Sequence, residues 1–172
     1  MLYCYNIHAI KIKYIGTRMT AIIKRTTLKV RDMEKSLVFY EQILGMRKYY
    51  DDKITLSGNL LPGGNAGDLT RLVIMEAKDP EIGKIGLLQW LNPSSPPPAV
   101  NYNFEYGQPV FVAEVSDAEK IYEIAKLHDI EIRAPLSEAT YPAANGGEVK
   151  VRSVGLFDPD GHFFECNQRL EG

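Results

Sequence analysis

One short passage occurs twice in this chain of 172 residues. The run VRDMEK at 30–35 returns as VSDAEK at 115–120, an offset of 115 − 30 = 85 residues. Asp79-Pro80 returns as Asp158-Pro159, an offset of 158 − 79 = 79. Such self-similarity indicates a structural unit built twice, whose equivalent positions can be compared within one sequence. We therefore predict two similar modules, with any functional site where they meet.

Length, charge and cysteine content exclude several classes of protein. A chain of 172 residues suits one compact domain. Twenty basic and 22 acidic residues leave a net charge of −2 without a basic run, so neither nucleic acid nor a membrane surface is an expected partner. No apolar run is long enough to span a bilayer. Cys4 and Cys166 are too few for a disulfide framework, and Cys166 is expected to be a buried free thiol in a cytoplasmic protein.

Residues 1–18 form an N-terminal extension rich in Tyr and Ile, without the pattern of a signal peptide. Met19 directly precedes the first predicted strand, which leaves two interpretations open. Met19 is the start of a domain spanning 19–172, with a loosely packed extension before it, or the extension adds an edge strand.

The first module, residues 20–92, is predicted as one β-α-β-β-β unit. Branched residues indicate strands, and apolar residues at helical spacing after a capping Asp32 indicate a helix. The expected elements are a strand at 22–30, a helix from Asp32 to Gly45, a strand at 46–51, a loop at 56–69, and strands at 72–77 and 85–91.

A proline-rich linker at 93–107 separates this unit from its repeat, and its composition indicates a stiff, extended connection. The second module, residues 108–170, repeats the order of elements. Its expected elements are a strand at 109–115, a helix capped by Ser116 or Asp117, and strands at 130–133, 149–157 and 162–167. The segment between Ala134 and Gly147 is predicted to be a loop that borders a cavity.

The paired modules resemble the vicinal oxygen chelate superfamily, which includes glyoxalase I, extradiol dioxygenases and bleomycin-resistance proteins. The resemblance covers about residues 20–170. The matching runs are Arg25–Val30, Ser36–Tyr40, Leu44–Met46, Ile85–Trp90 and Phe157–Glu165. This resemblance implies an α+β fold in which two tandem β-α-β-β-β modules form a half-open, barrel-like mixed sheet with the helices outside.

The resemblance also implies four metal-ligand positions, one on the first and one on the last strand of each module. In this chain they are Arg25, Gly86, Val110 and Glu165. Only Glu165 offers a ligand atom, because arginine carries hydrogen-bond donors without a lone pair and glycine and valine carry neither. A catalytic metal normally needs three protein ligands. No cofactor is therefore expected, although a divalent metal bound through Glu165 stays open.

Side chains alternate between the two faces of a strand, so these positions define which residues face the cavity. The set is apolar and aromatic with a few polar groups, which is typical of a small-molecule site. It contains Glu165 as the catalytic candidate and, as ligand-binding candidates, Arg25, Thr27, Leu88, Trp90, Val112, Glu114, Phe163 and Asn167.

Within this set we expect Arg25 and Glu165 to form an ion pair near the place of the missing metal. A cavity-facing carboxylate needs compensating charge, and a guanidinium binds carboxylates in bidentate fashion. Two interpretations are left open: Arg25 binds an anionic or carbonyl-bearing ligand, or the pair is purely structural.

Two classes of function follow. The first is a protein that binds a small carbonyl, carboxylate or aromatic ligand, in the manner of the bleomycin-resistance members. The second is an enzyme, working through acid–base chemistry at Glu165 or as a metal-dependent lyase, isomerase or dioxygenase of the superfamily. The resemblance further implies a homodimer.

Overall fold

The computed structural model describes residues 21–58, 60–79, 81–144 and 146–170. The predicted extension at 1–18 and the proposed start at Met19 lie outside these residues. None of the helices in the described ranges is both long and apolar enough to span a membrane.

Module one forms a four-stranded sheet with one helical segment. Its elements are β1 (Arg25–Lys29), helix α1 (Met33–Leu37) with a π-helical continuation (Val38–Ile43), β2 (Arg47–Thr55), β3 (Leu69–Glu76) and β4 (Lys84–Asn92). The strand order is β1-β4-β3-β2, with β1 parallel to β4 and the other pairs antiparallel. Strand β1 is therefore an edge strand.

Module two repeats this topology. Its elements are β5 (Val110–Glu114), helix α2 (Ala118–Leu127), β6 (Ile132–Pro142), β7 (Glu148–Phe157) and β8 (Phe163–Leu170). The strand order is β5-β8-β7-β6, with β5 parallel to β8. The predicted α+β fold of two tandem β-α-β-β-β modules is confirmed, as two mixed sheets that do not close into a barrel.

Strand β6 is the main departure from the sequence prediction. The segment from Ala134 to Gly147, predicted as a loop, is mostly strand, because β6 extends to Pro142 and pairs with β7. This edge strand is largely exposed along its length, and its register shifts twice, so it lacks the apolar alternation that reveals a strand. Pro135 and Pro142 also occur within it, and proline is tolerated only at sheet edges and bulges.

The duplicated passage is explained by helix capping. The Asp32 carboxylate accepts hydrogen bonds from the backbone N–H of Glu34 and Lys35 at 3.1 and 3.3 Å. In the second copy, the Asp117 carboxylate accepts one from the N–H of Lys120 at 2.9 Å. An aspartate at this position satisfies donors that a helix start otherwise leaves free. The repeat is thus a repeated helix start.

One hydrophobic core joins the two modules. Phe39 and Tyr40, from the π-helical segment, lie edge-on to Phe164 of β8, with ring centroids 5.2 and 5.8 Å apart. Ile121 and Ala125 of α2 belong to the same cluster. Cys166 is a fully buried free thiol, as predicted, and burial raises its pKa to about 12.

A buried carboxylate ties the last turn of module two to module one. The Asp158 side chain has no solvent exposure and accepts hydrogen bonds from the Tyr40 hydroxyl at 2.8 Å and from the N–H of His162 and Asp160 at 2.8 and 2.9 Å. Burial, then the negative charge of Asp158, raises the pKa of Tyr40 well above its ordinary value, so Tyr40 stays a donor. The cost of burying the Asp158 charge is offset by donors from both modules.

The same turn makes a second connection through Asp160. Its Oδ1 accepts from the backbone N–H of Arg31 at 2.9 Å and from Arg31 Nη1 at 2.8 Å. The Ser36 hydroxyl donates to the other oxygen at 3.3 Å. Two carboxylates of one turn are therefore anchored in module one.

We predict that stability depends on pH through His162. Burial lowers the pKa of His162, but its hydrogen bond to Asp158 and the negative charge of Asp158 outweigh this, so the pKa lies above the ordinary value of 6.5. Such a group stabilises the folded state fully below its ordinary pKa, and this stabilisation is lost as the pH rises through the raised value. The free energy of unfolding, measured with urea, should fall as the pH rises above the ordinary pKa of 6.5, and more steeply in the wild type than in His162→Asn.

His162→Asn is a suitable reference because its amide nitrogen can still donate to Asp158 but does not titrate. Equal pH dependence in the two proteins would contradict the prediction.

Candidate functional site

The predicted site residues all lie on the open faces of the two sheets, opposite the faces that the helices cover. In module one the buried Leu87 alternates with the predicted Leu88, and Thr27 pairs across the strands with Gly86. In module two the buried Cys166 alternates with Glu165 and Asn167. Paired residues on neighbouring strands share a face. By this alternation the open faces carry Arg25, Thr27, Leu88, Trp90, Val112, Glu114, Phe163, Glu165 and Asn167. Their binding and catalytic roles stay predictions.

Of the two metal-ligand positions predicted in module one, Arg25 and Gly86, the glycine is tightly packed. A Cβ placed on Gly86 would lie 2.7 Å from Thr27 Oγ1 and 3.2 Å from Arg25 Cδ. Any side chain at position 86 would therefore require Thr27 and Arg25 to move. Within the described ranges, no three His, Cys, Asp or Glu side chains form a group that could hold a metal ion. The residues at the four positions do not fit a conventional metal site within one chain.

Three predicted residues meet at the seam between the modules. A cavity of about 320 Å³ lies where β1 and the start of β4 approach β5, and Arg25, Val112 and Glu114 line it. Glu114 is largely exposed and forms an ion pair with Arg169 at 3.4 Å. Such an exposed pair contributes little to stability.

The expected ion pair between Arg25 and Glu165 is not formed in the single chain, where no side-chain nitrogen of Arg25 lies within 4.0 Å of the carboxylate. Arg25 lies on the edge strand of sheet one, whereas Glu165 lies on β8, the second strand of sheet two. Because the two sheets stay separate, the open face of each carries its own charged group. That separation is decided by packing between modules, which strand alternation does not report.

Glu165 is oriented by side chains of its own sheet. Its Oε1 accepts a hydrogen bond from Asn167 Nδ2 at 2.8 Å. The amide oxygen of Asn167 accepts in turn from the Ser153 hydroxyl on β7. On that neighbouring strand Gly155 is paired with Glu165, so no β7 side chain covers the carboxylate directly. One carboxylate oxygen is held while the other accepts no hydrogen bond from the described residues.

Phe163 takes part in packing beside this carboxylate. Its ring centroid lies 5.3 Å from that of Phe157, which lies 5.4 Å from Tyr102 of the linker. The ring also fills the space above Gly155, where a Cβ would come within 3.0 Å. Phe163 therefore forms one wall of the open face of module two.

A cavity of about 510 Å³ lies at the carboxyl ends of β1 and β4. We call it the linker pocket. Trp90, Gln89 and Lys29 line it from the strands and Asp68 from the loop before β3. On the other side it is lined by Pro93 and residues 95–98 of the proline-rich linker. Of the predicted set, only Trp90 lines this pocket.

An indole ring lies between two opposite charges in the linker pocket. The Lys29 Nζ lies 4.2 Å from the centroid of the Trp90 ring, within range of a cation–π interaction. Trp90 Nε1 donates to Asp68 Oδ2 at 3.0 Å, and the backbone N–H of Asn65 donates to the same oxygen at 3.0 Å. These hydrogen bonds, that from Asn65 first, lower the pKa of Asp68.

Sequence reasoning missed Lys29 and Asp68 for different reasons. Lys29 alternates with Leu28 on β1 and shares the face of Arg25 and Thr27, so the same parity could have included it. Asp68 lies in a loop without periodicity, and only the folded loop brings it to Trp90.

Arg31 holds the linker over this pocket. Besides its bonds to Asp160, its guanidinium donates to the carbonyl oxygens of Pro98 at 3.2 Å and Ala99 at 3.4 Å. The wall of the pocket is thereby fixed to the same turn that joins the modules. Since these bonds engage the guanidinium, Arg31 is a positioning residue here.

Comparison with known protein families gives one match that spans most of the chain. The family described as Glyoxalase/Bleomycin resistance protein/Dioxygenase superfamily matches residues 22–166. No curated protein sequence matches the chain significantly.

Solved structures share this fold at low sequence identity. A glyoxalase family protein from Bacillus cereus matches with a TM-score of 0.70 and 13% identity over 91% of this chain and 100% of its own. The trypanothione-dependent glyoxalase I of Leishmania major matches with a TM-score of 0.56 and 18% identity over 87% of each chain. An antibiotic binding protein from a Streptomyces species matches with a TM-score of 0.52 and 17% identity over 90% of this chain and 100% of its own.

We predict that Gly86 is required by its neighbours. Gly86→Ala should destabilise the protein by about 1–3 kcal/mol, because the new methyl group meets the stiff, β-branched Thr27. Gly58→Ala is the matched control, since a Cβ there meets nothing within 4 Å. Thr27→Ala should recover part of the loss in the double variant, as a coupling of about 0.5–3 kcal/mol in urea unfolding. Full additivity of the two changes would refute this.

Proposed function

Because the chain belongs to the glyoxalase/bleomycin resistance protein/dioxygenase superfamily, we propose that it binds a small organic molecule in the linker pocket and needs no conventional metal site to do so. The observation that carries this proposal is a cavity of about 510 Å³ with an indole ring, a lysine and an aspartate on its walls.

The size and lining of the linker pocket support a small-molecule site. Ligand pockets typically measure roughly 300–1,000 Å³ and combine apolar walls with a few placed polar groups. Trp90 and the linker prolines supply the apolar walls, while Lys29 and Asp68 supply the charges. Among proteins of the same fold, one is an antibiotic binding protein, which is consistent with ligand binding as a function in its own right.

The chemistry of the four conventional positions supports binding without a metal. Arg25 carries a permanent positive charge, and Gly86 and Val110 offer no ligand atom. Glu165 alone is too few ligands for a catalytic metal. A divalent ion held by Glu165 with groups outside one chain is the alternative that metal analysis would reveal.

Acid–base catalysis at Glu165 is the second candidate function. The hydrogen bond from Asn167 orients one carboxylate oxygen and leaves the other available on the open face. A carboxylate in this arrangement can remove a proton from a carbon next to a carbonyl group. The remaining predicted residues, Thr27, Leu88 and Phe163, then shape the surroundings of the two faces.

A homodimer remains part of the proposal. Val112, at 68% exposure, and Val110, at 39%, present apolar surface on the open face of module two. A second copy that covers this face would remove that surface from water. A monomeric mass by analytical ultracentrifugation would contradict it. The cytoplasmic location expected from the cysteines likewise stays a prediction.

Ligand binding can be measured through Trp90, the only tryptophan in the chain. After treatment with a chelator, a panel of small organic anions, cations and zwitterions should include members that change Trp90 emission along a saturable curve. Ser95→Phe, which places a ring in the pocket wall, should weaken this binding about tenfold or more. Ser94→Phe is the matched control, because Ser94 is the adjacent exposed serine and does not line the pocket.

Equal effects of the two serine substitutions would remove the linker pocket as the site. Binding that appears only after a divalent metal is restored would remove the metal-free part of the proposal.

Catalysis by Glu165 can be tested through hydrogen exchange. In deuterium oxide, a panel of small ketones and aldehydes should show protein-dependent exchange next to the carbonyl group, followed by proton NMR. Glu165→Gln keeps an acceptor for Asn167 but lacks the basic oxygen, so exchange should fall about 100-fold. Ligand binding to the linker pocket should not change. Exchange that is absent, or equal in both proteins, would exclude this role.

A further inference from the structure

The charged side chains that line the linker pocket differ in whether they have an oppositely charged partner. Arg31 is engaged by Asp160 and by two carbonyl oxygens of the linker. Lys29 and Asp68 differ from it, because neither has an oppositely charged side chain within 4.0 Å among the described residues. The pocket therefore holds one unpaired ammonium group and one unpaired carboxylate.

Asp68 keeps one oxygen available. Both of its hydrogen bonds, from Trp90 Nε1 and from the N–H of Asn65, go to Oδ2, and Oδ1 accepts none from the described residues. The side chain belongs to a residue with 7% exposure that lines the pocket. Among the described residues every buried side-chain nitrogen or oxygen atom has a hydrogen-bond partner, so Oδ1, which has none, is accessible from the pocket. This accessible oxygen can accept a hydrogen bond from a ligand.

Lys29 supplies the opposite charge on the same indole. Its Nζ lies over the face of Trp90, while Asp68 binds the nitrogen edge of that ring. Because Trp90 separates them, the two charges do not neutralise each other by direct contact. An anion that pairs with Lys29 would leave Asp68 unpaired and facing negative charge. A cation that pairs with Asp68 would leave Lys29 unpaired and facing positive charge. A ligand with a single charge would therefore gain one favourable contact and meet one group of like charge.

We propose that the linker pocket selects a zwitterion: a small molecule with a flat, apolar body against Trp90 and the prolines, an anionic group at Lys29 and an ammonium group at Asp68. This inference rests on the proposed function and specifies the class of ligand. The matched charges give selectivity, since each one rejects a ligand that lacks its partner.

Three compounds with the same phenylalkyl body test the proposal. Phenylalanine carries both charges, 3-phenylpropionate only the anion, and phenethylamine only the cation. Titrations followed by Trp90 emission should show phenylalanine binding about tenfold or more tightly than either of the others. Lys29→Met, which keeps the apolar stem over the indole, should abolish the preference over phenethylamine. Asp68→Asn, which keeps the acceptor oxygen for Trp90 and Asn65, should abolish the preference over 3-phenylpropionate.

The outcomes separate this inference from the proposed function. If 3-phenylpropionate or phenethylamine binds as tightly as phenylalanine, the proposal of a zwitterionic ligand is wrong, but the proposal of ligand binding in the linker pocket stands. The same holds if none of the three binds while anions or cations of the small-molecule panel do. If no member of that panel changes Trp90 emission, both proposals fall. Thermal unfolding of Lys29→Met and Asp68→Asn shows whether each variant is folded. If either is not, Lys29→Gln and Asp68→Ser replace them. For the inference to stand, these variants must be folded and must lose the same preferences for phenylalanine.

Discussion

The fully buried carboxylate of Asp158 is the constraint on which the arrangement of the two modules depends. It lies in a turn of module two, yet one of its donors, the Tyr40 hydroxyl, comes from the helical segment of module one. Breaking a buried charged interaction costs about 3–5 kcal/mol, because the remaining charge is left without compensation. The π-helical segment must therefore lie against β8, and Phe39, Tyr40 and Phe164 pack there as one core. Each sheet then has one face committed to this core and the other left open.

The neighbouring carboxylate carries this constraint into the candidate site. Asp160 binds Arg31, and Arg31 also holds the linker through the carbonyl oxygens of Pro98 and Ala99. The linker forms one wall of the pocket that contains Trp90. The shape of that pocket therefore depends on the contact between the modules, although nearly all of its other lining residues belong to module one. A stiff, proline-rich segment suits this role because little conformational entropy is lost when it is fixed.

The residues at the metal-ligand positions that the family resemblance predicts do not suit a metal in this chain. Gly86 is packed against Thr27 and Arg25, so a ligand side chain at this position would require both neighbours to move. Module two keeps Glu165, oriented by Asn167 and Ser153. In one chain the two open faces thus carry different chemistry. One has an aromatic pocket with two opposite charges that do not contact each other, and the other has a carboxylate. Family membership alone does not decide between such uses of a fold.

The sequence by itself determined the local structure and the direction of side chains. Aspartates at 32 and 117 start the helices, and strand alternation assigned residues such as Thr27, Trp90 and Glu165 to the open faces, because capping and pleating depend on near neighbours in the chain. Only the tertiary structure decided that Arg25 and Glu165 stay apart, that β6 extends to Pro142 as an exposed edge strand, and that Lys29 and Asp68 meet at Trp90. Each of these depends on how segments distant in sequence pack, and a loop or an exposed edge has no hydrophobic period that records its position.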